Sequence, residues 1–355
     1  MNKLSPMQTR KPIIRWLTAA LLFALATTIA STGVHAQQQQ VVEQDITATK
    51  RIYPEIGAGV WSIKRGPGGN YYILVGRSVL VFGDDQQKLK EIPRPPTKDY
   101  RGAPPLVYGV AFDVDSTGRV YVADRAANIL RIFSPDGDSL LNISFQSPTG
   151  IAVLPSGEIV ASSATTDHLI TVFDARGREL RSIGDMVDFS DNRRFNRFLN
   201  VGQLAADPAN NIYFAFNYFP EPTFRKYDRA GYAQLDISLT TTEFAPAAMA
   251  ARREIKRETT TGNVPELKPT VSCIGVDPVT QRIWIAFGNE VMLFEKDGLQ
   301  LAEYRLYTPE GGRLILNSIL VEPERLVITS DPLGIYEFPR PDKLFSVPTT
   351  TSKPF

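Results

Sequence analysis

The chain has 355 residues, 43% of them hydrophobic, and 39 Lys and Arg against 38 Asp and Glu give a formal net charge of +1. So even a balance gives no electrostatic footprint for nucleic acid, and a single Cys excludes an intramolecular disulfide. Two His leave little for an imidazole-based metal centre, so neither a metal nor a cofactor is expected.

Residues 1–36 read as an export signal. Lys3, Arg10, Lys11 and Arg15 form a basic segment, an apolar run extends from Leu17 to Ala30, and Val34-His35-Ala36 places small residues for cleavage before Gln37. The run is shorter than the roughly 20 residues that span a bilayer. The expectation is a cleaved, exported chain, periplasmic or secreted, with no transmembrane anchor. Cleavage takes away basic residues only and brings the net charge to about −3, so the expected partners do not include nucleic acid. After it, Gln37 to Gln40 read as a leader and Val41 to Ile52 as a possible ring-closing strand.

The segment from Val107 to Asp185 contains one pattern twice: VYGVAFDVDSTGRVYVADRAANILRIFSPDGDSLLNISF, then PTGIAVLPSGEIVASSATTDHLITVFDARGRELRSIGD. Four alternating apolar runs in about 40 residues are the pattern of a propeller blade, a four-stranded sheet that needs neighbours to bury its faces. Six inner strands follow from a small residue ahead of alternating apolar positions, at Gly59, Gly109, Gly150, Gly202, Cys273 and Ser318. Each precedes a β-branched or aromatic run: NYYILV, RVYVAD, EIVASS, NIYFAF, RIWIAF and RLVITS. A third run ends in an aromatic four residues before a glycine at Phe133–Gly137, Phe173–Gly177, Tyr227–Gly231 and Phe294–Gly298, where a tight hairpin needs positive φ. The predicted fold is all-β: a six-bladed β-propeller of four-stranded antiparallel blades over residues 53–343, with one helical loop insertion and a tail at 344–355.

The second repeat resembles the NHL-type six-bladed propellers from Gly109 through Asp113, Gly118, Tyr121, Asp124, Asn128 and Phe133 to Gly137. The third and fifth match that pattern in part, and the first, fourth and sixth keep only its apolar skeleton. The resemblance covers residues 57–342 and implies the fold; the family holds binding modules and a few enzymes, so it implies no single activity. The last blade lacks an evident outer strand. Residues 41–52 are the expected donor, because Pro339, Pro341, Pro348 and Pro354 bracket the alternative at Leu344 to Val347.

The excess length falls at 94–106, 185–200 and 240–269, all connections from an outer strand to the next inner strand. These share one face with the loops that join second to third strands, which makes that face the expected binding face. The insertion at 240–269 predicts a helix of roughly 12 residues starting near Pro246. Candidate ligand-binding residues on the face are Asp124, Arg125, His168, Asn217, Tyr218 and Asp331, joined by Arg193, Arg194, Phe195 and Arg197 of DNRRFNRF. Mixed-charge, Arg-rich aromatic surfaces suit protein or peptide contacts. Cys273 fills a small-residue position and is expected to be protonated and inert. A resemblance to gluconolactonase-like hydrolases through Glu55-Ile56-Gly57 and Trp61 would imply a divalent cation at the channel mouth. Of the residues expected there, only Asn317 is a strong oxygen donor. The expected function is a non-enzymatic binding or scaffold propeller, monomeric, that engages a protein, peptide or cell-envelope ligand, with the metal-dependent hydrolase as the alternative and no catalytic residue assigned.

Overall fold

The computed structural model describes residues 41–240, 244–261 and 266–345. The segment read as an export signal, the residues read as a leader at 37–40 and the tail beyond 345 lie outside them. Six sheets follow one another along the chain, at residues 62–92, 109–144, 148–185, 202–238, 273–307 and 316–339, and are called blades 1 to 6. Within each blade the strands, lettered a to d from the axis outward, pair antiparallel with their sequence neighbours.

Burial explains the order. The b strands, such as Val120–Asp124 and Ile212–Phe216, are buried throughout, apart from Arg325 at the start of the last one, because a neighbouring blade covers each face. The d strands, such as Glu179–Asp185, are mostly exposed and carry charges, except in blade 5, where Gln300–Tyr307 is mostly buried. One apolar cluster fills each of the six spaces between adjacent blades; Phe112, Phe133 and Leu74, for example, join blades 1 and 2. A blade therefore has no core of its own, which is why the repeat has to form a closed ring.

Hairpin glycines behave as their spacing requires. Gly177 sits at φ +80°, and a Cβ there would come within 2.7 Å of the Ile143 side chain in blade 2. Blade 1 lacks the glycine and places Gln86 at φ 64° in the same turn.

Ring closure comes from the N-terminal side and in two pieces. Strand β2 (Lys50–Ile52) pairs antiparallel with Gly334–Pro339 as the outer strand of blade 6. Strand β1 (Val42–Thr47) runs parallel to Gln300–Tyr307, so blade 5 has five strands rather than four. Pro341–Phe345 forms a 3-10 turn, not a strand.

Among the described residues, two α-helices stand where one was expected. The second, α2 (Ala245–Thr261), is longer than predicted at 17 residues. The first, α1 (Arg193–Leu199), occupies the stretch read as a mixed-charge loop. Asn192 caps it by accepting from the Phe195 amide at 3.2 Å, and Phe195 and Leu199 pack with Ile255 of α2. No described helix is long and apolar enough to cross a membrane.

Candidate functional site

The six a strands converge on a cavity of about 640 Å³ that runs along the axis. Counting back from the a–b turns, whose first residues are Gly66, Asp115, Leu154, Asp207, Asp277 and Glu322, gives the residues at equivalent depth. They are Ser62, Ala111, Gly150, Gln203, Cys273 and Ser318, and all six line the cavity. This corrects three of the six markers. Gly59 is a turn residue at φ +87°, and Gly109 lies beyond a bulge in its strand. Gly202 is small because a Cβ would stand 2.4 Å from the Ala215 carbonyl oxygen, not because of crowding at the axis. The ring of small residues is real but is broken once, by Gln203. No described residue hydrogen-bonds its side-chain amide, and it faces the cavity.

At the mouth, the connections entering the a strands meet the loops after the b strands. Trp61 and Tyr108 form an edge-to-face pair at 5.8 Å and remain 36% and 41% exposed, because the open channel leaves nothing above them. Opposite, Tyr218 lines the cavity and stacks on Phe198 of α1 at 4.6 Å, which ties the helical insertions to the rim. Arg125 and Lys268 reach the lining from two different connections; both are exposed, and neither forms an ion pair with a described residue. Deeper in blade 1, Lys64 lines the cavity and pairs with Asp113 at 3.5 Å. Among the described lining residues there is no carboxylate and no imidazole.

The residues expected to bind ligand divide into groups. Arg125, Asn217 and Tyr218 do line the cavity. Asp124 does not: it is fully buried, accepts from the Val107 and Tyr108 amides at 3.0 and 2.9 Å, and lies 3.6 Å from Arg131. Its role is to hold Tyr108 at the rim. Asp331 fixes the approach to Trp61 in the same way, accepting from the Gly59 amide at 2.9 Å. Asn217 lines the cavity and also donates to the Val271 carbonyl at 2.8 Å, fastening the segment that carries Lys268. The loops after the b strands thus act as buckles for the connections that form the mouth.

The others sit elsewhere. His168 opens a c strand (His168–Phe173), contacts Thr171 at 2.8 Å and is absent from the cavity lining; burial pushes its pKa below the usual imidazole value. Arg193 and Arg197 both clasp Asp167, with Arg197 Nη2 2.7 Å away. Hydrogen bonds from Arg193, opposed by slight desolvation and joined by Arg197, hold that carboxyl below its usual range. Arg194 is exposed. Phe195, expected to touch ligand, is 1% exposed in the contact between the two helices. The capping Asn192 followed by apolar residues at 195, 198 and 199 was the signal for a helix with one inward face. Sequence reasoning missed Gln203 as a lining residue and reached Trp61 only through the hydrolase resemblance, because depth depends on strand register. Cys273 is in the lining yet 3% exposed, and burial pushes its thiol up to about 12.

The oxygen set does not suit a hard divalent cation. The residues preceding the six axial positions are Trp61, Val110, Thr149, Gly202, Ser272 and Asn317, and the Asn317 amide nitrogen already donates to the Val60 carbonyl at 3.2 Å. No group of three or more His, Cys, Asp or Glu that could hold a metal occurs among the described residues.

No protein-family model matches the chain, and no curated protein does. Solved structures do. A virginiamycin B lyase from Staphylococcus aureus is 14% identical over 84% of this chain and 89% of its own, with a TM-score of 0.50. A streptogramin B lyase is 14% identical over 80% of this chain and 84% of its own, with a TM-score of 0.51. The likeness is one of fold. It supports the six-bladed architecture; at this identity it transfers no activity.

Proposed function

We propose that the chain is an exported, non-enzymatic binding propeller that holds a protein, peptide or cell-envelope ligand at the mouth of its central channel. The repeat pattern of the second blade supports placing it with the NHL-type propellers, whose members include binding modules. The observation that carries the reading is the cavity itself. It falls within the roughly 300–1,000 Å³ usual for ligand sites, it opens among the decorated connections, and its described lining has neither carboxylate nor imidazole. General acid–base catalysis draws mainly on those two groups, so the arrangement favours holding over turning over. The fold's occurrence in lyases keeps an elimination or hydrolysis in view as the alternative.

The test is capture from a native envelope extract by the wild-type chain and by the Trp61→Ala/Tyr108→Ala double variant. Both side chains are partly exposed, so the variant is expected to keep its fold and lose capture. Equal capture by both would rule out the channel mouth. Turnover of lactone or ester substrates by the wild type, abolished by a chelator, would replace the binding reading with the hydrolase. Excising 185–200 is a poorer test, because it removes the buried Phe195 and Leu199 together with the surface.

A further inference from the structure

Resting on the binding reading, we infer that the ligand group seated in the channel mouth is an organic anion with a flat apolar body, of the kind an aromatic carboxylate presents. Three features of one cavity converge on it. The described lining contains three cations, Lys64, Arg125 and Lys268, and no anion. Lys64 already has Asp113 as a partner at 3.5 Å, whereas Arg125 and Lys268 have none among the described residues. Two rim cations without counter-charges around a concave, low-dielectric opening focus a positive potential on it.

Shape supplies the second feature. Trp61 and Tyr108 on one side and Tyr218 on the other bring ring surface to the same opening, and Phe112 lies deeper in the lining. The edge-to-face geometry of the first pair, at 86°, leaves a ring face free for a planar group to stack on. The third is Gln203. Alone among the axial residues it is long, and its amide has no partner among the described residues, so it can donate to a carboxylate or accept from a neighbouring N–H inside the cavity. A neutral apolar ligand would leave these polar groups unpaired, and a cation would meet only like charge.

Such an acid could be the C-terminal residue of a peptide or a free aromatic acid, and the test separates the two. Calorimetric titrations use N-acetyl-L-phenylalanine and 2-naphthoate, each against its uncharged primary amide, with acetate as the anion lacking a ring. Each acid that binds should do so at least about tenfold more tightly than its amide, the scale of one charge-assisted hydrogen bond. That preference should shrink between about 20 and about 300 mM NaCl, as expected for partly screened charges. Arg125→Gln/Lys268→Gln should bring acid and amide to within about threefold while leaving the melting temperature unchanged, since both side chains are exposed. Gln203→Trp, which fills the channel, should abolish binding of both. The stronger of the two acids identifies the source.

Amides that bind as tightly as acids, a preference that survives the double substitution, or no binding by either acid would overturn the inference. If no acid binds but envelope capture still depends on Trp61 and Tyr108, the anion inference fails and the binding reading stands. If a probe is bound and chemically consumed, the non-enzymatic reading fails and the charge preference is judged on its own.

Discussion

Arg340 is the point at which the closed ring should be most sensitive to a single substitution. It follows the last strand of blade 6, and its side chain is 6% exposed. The guanidinium donates to both carboxylate oxygens of Asp342 at 2.6 Å, to Asp277 at 2.8 Å and to the Glu322 carbonyl at 2.6 Å, beside the ring of Trp284. The carboxylates of Asp277 and Asp342 are 3% and 1% exposed. Arg340→Met would leave both in place, with Arg282, 3.5 Å from Asp342, the one cation still paired with them among the described residues. Removing one partner from a buried ionic group costs about 3–5 kcal/mol. At about 2–4 °C per kcal/mol for a chain of this size, melting should fall by about 6–20 °C. Thermal and urea unfolding followed by the fluorescence of the buried Trp284 would measure it.

The dependence on pH gives a second handle on the same group. Burial alone would raise the Asp277 pKa, but hydrogen bonds from the Val279 amide, Arg340 and Thr280 outweigh it and hold the carboxyl below 3.8. A depressed carboxylate stabilises the fold above its unfolded value and loses that contribution as pH falls through its folded one. The gap between wild type and Arg340→Met should therefore be widest at neutral pH and narrow below 3.8. A change in melting under about 2 °C at pH 7 would refute the view that this buried network locks the ring.

Glu158 gives a milder case. Burial opposes ionisation, but Arg181 and Arg229, at 2.8 and 2.7 Å, with Ser156, bring its pKa down to about 2. Glu158→Gln should therefore lower the urea midpoint at pH 7 and converge on wild type as pH falls from 4.5 towards 2. Asp124→Ala should cost about 3 kcal/mol by leaving Arg131 buried and two rim amides unpaired, and hydrogen exchange should speed up at Val107 and Tyr108. Truncation up to Thr47 removes a strand whose side chains are exposed except at Ile46, whereas truncation up to Ile52 strips the outer strand from blade 6. The second deletion should lower the melting temperature at least about twice as much as the first, because it also removes the buried Ile52 and uncovers Tyr53.

Period-two alternation, repeated turn chemistry and small residues at fixed spacing were enough to read a six-bladed ring, since those signals are local and recur in every blade. The c–d hairpins at Gly137, Gly177, Gly231 and Gly298 follow from backbone sterics that any short window of sequence carries. Depth along the channel is a different kind of fact. It is set by strand register, where one bulge moves a residue from one level to the next, and so Gly59 and Gly109 pointed to the wrong positions while Gln203 went unnoticed. The same holds for DNRRFNRF. Its charges and aromatics were visible in the sequence, but only the packing of α1 against α2 decides that Phe195 is buried while Arg194 meets solvent. Local chemistry thus determined the blades; how six of them close, and which side chains then share one opening, depends on contacts between residues far apart in the chain, which only the folded ring brings together.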